Sequence, residues 1–267
     1  MDKNKADNRE NNGALKTPCL VLDTSTDACT LALFLSPDQI FTFHEAGQSR
    51  HNQLLIPGIQ DLLNQANIKP SDLQQVFFGH GPGSFTGTRI SASLALGLSM
   101  GSGAACQAIS SFELIAQGIY KNFNYKNILI LQDAQKNQVY LAAYEFSDAD
   151  DFVSPLEGET GLKTKSKDRE GVIKTLIPPC LISPTEIPEK LNPFPPSISW
   201  AVNGNAWFLL QESLKKILPQ IPQALIFNPY IENWQPRAED GFELIQQDRI
   251  YPPEVCYLRE ASDWLVK

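Results

Sequence analysis

The stretch Leu20-Val21-Leu22-Asp23-Thr24-Ser25-Thr26-Asp27, followed by Ala28-Cys29-Thr30-Leu31-Ala32-Leu33-Phe34-Leu35, decides the fold. An apolar run ends in Asp23, polar residues turn the chain, and a second apolar, β-prone run returns, so the segment reads as a hairpin. A third strand over Gln39–His44 follows the turn Ser36-Pro37-Asp38. The same layout recurs further on. Asn127–Gln132 is a strong strand with Asp133 at its tip, Ala134–Asn137 turns, and Gln138–Phe146 returns. The likeness is one of layout rather than identity, and it points to a duplicated αβ unit with a hairpin in each half.

Working outward, His51–Asn67 places apolar residues at 54, 55, 59, 62, 63 and 66, a helical spacing that Pro57 and Gly58 interrupt. Val76-Phe77-Phe78-Gly79 reads as a buried strand. From it, Gly81-Pro82-Gly83-Ser84-Phe85-Thr86-Gly87 leads into a helix from about Thr88 to Met100. Strands followed by helix, strand and helix belong to an α/β layer fold. Phe112–Tyr120 is expected as a helix and Ser199–Val202 as a short strand. Ala206–Leu218 has an amphipathic helical pattern, and Pro236 opens a last helix over Arg237–Arg249. Residues 147–170 are polar and suit a surface excursion. Seven prolines in 178–196 predict an extended, irregular path with little helix. The resulting division is a disordered tail over 1–17, a first lobe over 18–108, and a second lobe over 109–235 with a polar and proline-rich insertion at 147–196. A C-terminal helix and tail over 236–267 is expected to pack back on the first lobe.

The chain has 267 residues, enough for one large core or two modest ones, and its 42% hydrophobic and 19% charged residues mark it as globular. Its 22 Lys and Arg against 30 Asp and Glu leave a net charge of −8, which disfavours free-standing nucleic-acid binding. The cysteines, Cys19, Cys29, Cys106, Cys180 and Cys256, are odd in number and widely spaced, against a disulfide framework or a zinc knuckle. The opening MDKNKADNRENNGALK lacks the apolar stretch of a signal peptide, and no run approaches a membrane span. A cytoplasmic protein without membrane attachment is expected.

Three groups of residues invite a chemical reading. Gly81, Gly83 and Gly87, with Ser84 and Thr86 among them, sit between a strand and a helix, where glycines let backbone N–H groups converge on an anion. Neither a P-loop nor a dinucleotide fingerprint is formed, and a tight strand-to-helix connection explains the same spacing. Asp23 and Asp133 each end a strand at a turn, so both could face one cleft, there orienting a metal-bound nucleotide or acting as a base. The alternative is that each caps its own turn. In the helix after the loop, Ser91, Ala95 and Ser99 share one face, and Ser93, Gly97 and Gly101 share a neighbouring one. Such faces let another element approach closely, either the chain's own sheet or a second subunit. His44, His51 and His80 lack metal-site spacing.

Several motifs now carry a resemblance. They are Val21-Leu22-Asp23-Thr24-Ser25-Thr26, Arg50-His51-Asn52-Gln53-Leu54-Leu55-Ile56-Pro57, and above all Gly81-Pro82-Gly83-Ser84-Phe85-Thr86-Gly87-Thr88-Arg89-Ile90. Asp133-Ala134 with Val139-Tyr140, Asn203-Gly204-Asn205, Pro236-Arg237-Ala238-Glu239-Asp240 and Tyr257-Leu258-Arg259 support them. Over about residues 18–260 the chain resembles the TsaB family, also called YeaZ. The resemblance implies an actin-like, Hsp70-like (ASKHA) α/β fold of two duplicated lobes with mixed sheets. It implies a non-catalytic scaffold or activator subunit in the making of threonylcarbamoyladenosine at position 37 of tRNAs that read codons starting with A. The partners implied are a TsaD-type transferase, which takes the threonylcarbamoyl group from an adenylate made by a YrdC-like enzyme, a TsaE-type ATPase, and a second copy in a homodimer. Carried over, the family's docking helices are residues 52–67 and 88–101, with His51, Leu54, Leu55, Ile59, Leu62, Arg89, Ser91, Ala95, Gly97 and Ser99 as contact residues. A phosphate-like loop would comprise Asp23, Thr24, Ser25, Gly81, Gly83, Ser84, Thr86, Gly87 and Asp133. The chain is expected to hold no cofactor by itself, with ATP or ADP at the interface with TsaD, and to meet tRNA only through the complex.

The chain departs from catalytic relatives at one place. TsaD-like proteins carry a His-x-x-x-His metal pair after the helix that follows the glycine loop, and Ser111 and Ile115 stand there instead. Isoleucine cannot ligate a metal and serine is a poor ligand for iron or zinc, so neither a metal nor catalysis is expected. Two other activities share the fold. An ATP-dependent small-molecule kinase would use Asn203-Gly204-Asn205 as its adenosine motif, and an M22-like metallopeptidase would need the missing ligands.

Overall fold

The computed structural model describes residues 15–47, 50–148, 171–195, 197–206, 225–226 and 234–258. Residues 1–14 of the expected tail 1–17, residues 149–170 of the excursion 147–170, nearly all of the helix 206–218, and the end 259–267 lie outside the described residues, whereas Lys16 is tied to Gln75 and Ser147 and Asp148 end a strand.

Among the described residues, two five-stranded mixed sheets are built on one plan. In the first, β1 (Cys19–Asp23) pairs antiparallel with β2 (Cys29–Ser36), and β2 with β3 (Gln39–Glu45). On the other side of β1, β4 (Gln75–Gly79) and then β5 (Ala105–Ile109) run parallel. In the second, β6 (Asn127–Asp133) pairs antiparallel with β7 (Val139–Asp148), and β7 with β8 (Gly171–Ile182). On the other side of β6, β9 (Trp200–Asn203) and β10 (Leu225–Ile226) run parallel. Order and direction match strand for strand, so the duplication expected from the two hairpins extends to both whole sheets. This is the two-lobed, actin-like α/β architecture.

Alternation along the strands sets the layers. Leu20, Leu22, Leu31, Leu33, Val76 and Phe78 face α1 (His51–Ala66) and α2 (Phe85–Ser102) on the outside of the first sheet. One residue out of phase, Val21, Ala32, Phe34 and Phe77 face inward on α3 (Ser111–Phe123). Both faces of β1 are covered, which is why all five of its residues are buried. The inner faces of both sheets share one core with α3, whose residues Ser111–Tyr120 are all buried. Helix α4 (Ile187–Leu191) adds its apolar side to the outer core of the second sheet, and α5 (Gly241–Gln246) joins the shared core through Leu244 and Ile245.

Several boundaries differ from the sequence-based expectations. Helix α2 starts at Phe85 rather than Thr88, because the Ser84 hydroxyl accepts the Gly87 N–H at 3.1 Å and caps the first turn. The stretch from 171 is no insertion: it forms β8. Pro178 and Pro179 are tolerated because β8 is an edge strand and its register with β7 slips between Leu141 and Tyr144. A short 3₁₀ turn and α4 follow it, so the proline-rich stretch is more regular than its composition suggested. The last helix shrinks to a 3₁₀ turn at Ala238–Asp240 plus α5, and Asp248 at φ 57° is no longer helical. The chain then returns to the first sheet. Tyr251 exchanges both backbone hydrogen bonds with Ala108 of β5, at 3.0 and 2.8 Å, and the Cys256 N–H donates to the His80 carbonyl at 2.9 Å.

Candidate functional site

The glycine-rich loop is packed against the tip of the first hairpin. The parallel register of β1 and β4 puts Gly79 beside Asp23, where a Cβ would lie 1.6 Å from Asp23 Oδ2. Asp23 is buried. Its Oδ1 accepts from the Ser25 N–H and hydroxyl, both at 2.7 Å, and its Oδ2 from the Ser111 hydroxyl at 2.6 Å. Burial pushes the Asp23 carboxyl pKa up, against the pull of the bonds from Ser111 and Ser25. The Ser111 oxygen in turn accepts the Gly81 N–H at 3.0 Å. The Ser84 N–H donates to the Ser25 carbonyl at 2.6 Å, and the Thr24 hydroxyl to the Gly87 carbonyl at 2.7 Å.

These contacts explain the glycines differently from the sequence reading. A Cβ at Gly83 would fall 2.3 Å from the Ser25 carbonyl oxygen, and one at Gly87 1.8 Å from that of Thr24. Gly81 takes φ +98°, which side chains rarely adopt. The loop therefore needs glycine for close approach to the hairpin. The N–H groups of Gly81, Ser84 and Gly87 are already bonded to Ser111, Ser25 and Ser84, so a phosphate there would have to displace the chain's own oxygens. Thr86 lies outside this network, exposed on the first turn of α2.

Asp133 does not share the surroundings of Asp23. Its Oδ1 accepts the Gln135 N–H at 2.8 Å, the turn-capping alternative, and its own N–H donates to Asn205 Oδ1 at 2.8 Å. Neither aspartate lines the narrow cleft between the lobes, whose walls include Gly83, Thr88, Tyr140 and Tyr257. Gly204 takes φ +118°, and a Cβ there would lie 2.0 Å from the Leu131 carbonyl oxygen, so Asn203-Gly204-Asn205 serves a tight turn. Where a metal pair would sit, Ser111 is engaged as described and Ile115 is core. Among the described residues, no three of His, Cys, Asp and Glu cluster as metal ligands, and no helix is long and apolar enough to cross a membrane.

The contact residues carried over from the resemblance divide into two sets. His51, Leu55, Ile59, Leu62, Ser91 and Ala95 are buried within the chain itself, where they hold α1 and α2 on the first sheet rather than offer themselves to a partner. The Ser99 hydroxyl donates to the Ala104 carbonyl at 2.6 Å, and Leu54 is partly buried. Arg89 and Gly97 are exposed, and a Cβ at Gly97 would meet nothing within 4 Å. The exposed apolar residues of this face are Ile56 (54%), Leu96 (39%) and Met100 (87%), which the sequence reading missed. The signal was present: Ile56 lies off the buried stripe of α1, and Leu96 and Met100 lie off the Ser91, Ala92, Ala95 stripe of α2. Between the two helices runs a cleft of about 570 Å³, walled by Leu55, Ile56, Ile90 and Leu94.

Comparison with known proteins agrees with the motifs. A family model described as TsaD, tRNA N6-adenosine threonylcarbamoyltransferase, matches residues 45–161. The tRNA threonylcarbamoyladenosine biosynthesis protein TsaB of Buchnera aphidicola subsp. Schizaphis graminum is 30% identical over 231 residues, covering 84% of this chain and 98% of that protein. The Escherichia coli protein of the same name is 26% identical over 245 residues, covering 92% and 96%. Among solved structures, YeaZ from Pseudomonas aeruginosa superposes with a TM-score of 0.65 at 23% identity, covering 90% of this chain and 99% of that one, a likeness of fold.

Proposed function

The chain belongs to the TsaB family of tRNA threonylcarbamoyladenosine biosynthesis proteins, and from that membership we propose that it is a non-catalytic subunit that scaffolds and activates a TsaD-type transferase. Its work lies in tRNA threonylcarbamoyladenosine biosynthesis. The observation that carries the non-catalytic reading is the self-satisfied glycine loop. Asp23 bonds to Ser25 and Ser111, and the N–H groups of Gly81, Ser84 and Gly87 bond to Ser111, Ser25 and Ser84, so these atoms, which would have to handle a nucleotide or metal, are engaged within the chain. A side-chain network of this kind rigidifies the hairpin, loop and α2, and so presents α1 and α2 as one firm surface.

The docking face in this reading is the outer side of α1 and α2, where Ile56, Leu96 and Met100 are exposed beside the cleft. The transferase covers it in the complex, and a second copy of the chain covers it when the transferase is absent. A TsaE-type ATPase joins the pair, ATP or ADP is held only at the interface with the transferase, and tRNA is met through the complex in the cytoplasm. The net charge of −8 fits a subunit that leaves the RNA to its partners. Co-purification tests the reading. The tagged chain mixed with its cognate TsaD-type transferase at micromolar concentration is expected to elute as one complex. Separate elution of the two proteins would contradict it.

A further inference from the structure

Among the described residues lining the cleft between α1 and α2, one is charged: Arg89 stands on its rim, and no carboxylate accompanies it. This arginine is exposed yet held in place. Its guanidinium carbon lies 3.4 Å from the centroid of the Phe85 ring and 5.3 Å from that of Tyr257, and its Nε–H donates to the Tyr257 hydroxyl at 2.8 Å. Tyr257 reaches this point because the C-terminal segment is pinned upstream, by Tyr251 on β5 and by Cys256 on His80. Two aromatic rings thus fix a side chain that on a bare helix would sample many rotamers.

A partner that covers the apolar walls also removes water from Arg89. Tyr257 is a neutral acceptor and engages Nε, and among the described residues no carboxylate pairs with this guanidinium at the cleft. A guanidinium desolvated without an anion is strongly unfavourable, so a well-fitting occupant has to bring one. The walls of Leu55, Ile56, Ile90 and Leu94 favour an apolar protein segment around that anion over a nucleic-acid backbone.

Resting on the transferase-subunit reading above, we propose that this cleft receives an apolar segment of the transferase that carries a carboxylate, that Arg89 binds this carboxylate bidentately, and that Tyr257 is the positioning residue that holds Arg89 ready. The C-terminal segment thereby contributes to docking without itself forming the apolar contact.

Calorimetric titration of the full-length chain with its transferase, at two salt concentrations, tests this. Arg89→Met keeps most of the side-chain volume and is expected to weaken binding about thirtyfold and to flatten its salt dependence. Tyr257→Ala is expected to weaken binding about tenfold through lost pre-organisation, and Tyr257→Phe, which keeps the ring, only about twofold to threefold. Thermal unfolding of each variant should match the parent chain, since both side chains are on the surface. Wild-type affinity and salt slope in Arg89→Met would overturn the proposal while leaving the pairing intact. So would a loss confined to tRNA affinity or to self-association. Absence of any transferase binding by the wild-type chain would instead overturn the pairing itself, and this proposal with it.

Discussion

Gly87→Ala is expected to destabilise the chain by about 3 kcal/mol or more, although alanine is the better helix former. The two effects oppose each other and their sizes decide the sign. Gly87 lies in the first turn of α2, where alanine gains about 1 kcal/mol of helix propensity. Its Cβ, however, would stand 1.8 Å from the Thr24 carbonyl oxygen, which is backbone. Relief means lifting the start of α2 off the hairpin, which breaks the Thr24 hydroxyl bond to the Gly87 carbonyl and the Ser84 N–H bond to Ser25. Gly97→Ala is the matched control in the same helix. Nothing lies within 4 Å of its Cβ, so propensity acts alone and the free chain is expected to gain about 1 kcal/mol. Urea unfolding of both variants checks the pair. A Gly87→Ala chain as stable as the parent would contradict the packing account of the loop.

Arg249→Met is expected to cost about 3–5 kcal/mol at neutral pH, because it strands a buried carboxylate. Glu113 of α3 is 2% exposed. It forms an ion pair with Arg249 and accepts from the Tyr251 hydroxyl at 3.1 and 3.2 Å, while Arg249 also donates to Thr175 of β8 at 2.6 Å. The cluster ties α3, the second sheet and the returning C-terminal segment together. Burial already raises the Glu113 pKa, against the pull of the Arg249 guanidinium and, less strongly, of the Tyr251 hydroxyl. Without the Arg249 pull the folded chain holds the Glu113 proton still more tightly, relative to the unfolded chain, than the parent does. Its stability therefore falls as pH rises above the ordinary glutamate range. The loss is expected to be larger at about pH 8 than at about pH 5, and Glu113→Gln in the Arg249→Met background should recover part of it and flatten the pH slope. An equal loss at both pH values would show that packing, not charge, holds the segment.

Much of the fold was legible because period-two alternation and the Asp-tipped hairpins are local signals. The two hairpins announced the duplication, and the helical spacing of α1 identified the stripe that the first lobe buries. Two strands were harder to read. Ala105-Cys106-Gln107-Ala108-Ile109 is too short and small-residued to announce β5, and Pro178-Pro179 disguised an edge strand that is held together by its pairing with β7. The site was legible in its residues but not in their use. A glycine that admits a phosphate and a glycine that admits a neighbouring carbonyl leave the same mark in a sequence. Only the distances from Gly83 and Gly87 to Ser25 and Thr24 separate them. Likewise Leu55, Ile59 and Leu62 belong to the proposed docking helix yet face inward, and the exposed surface falls to Ile56, Leu96 and Met100.

The claim that this chain is a required, non-catalytic subunit is tested most directly by reconstitution. The cognate TsaD-type transferase, TsaE-type ATPase, threonylcarbamoyl-adenylate and substrate tRNA would be combined with and without the chain, and modified adenosine counted. The account predicts that modification proceeds at full rate only when the chain is present. Full transferase activity in its absence would contradict it.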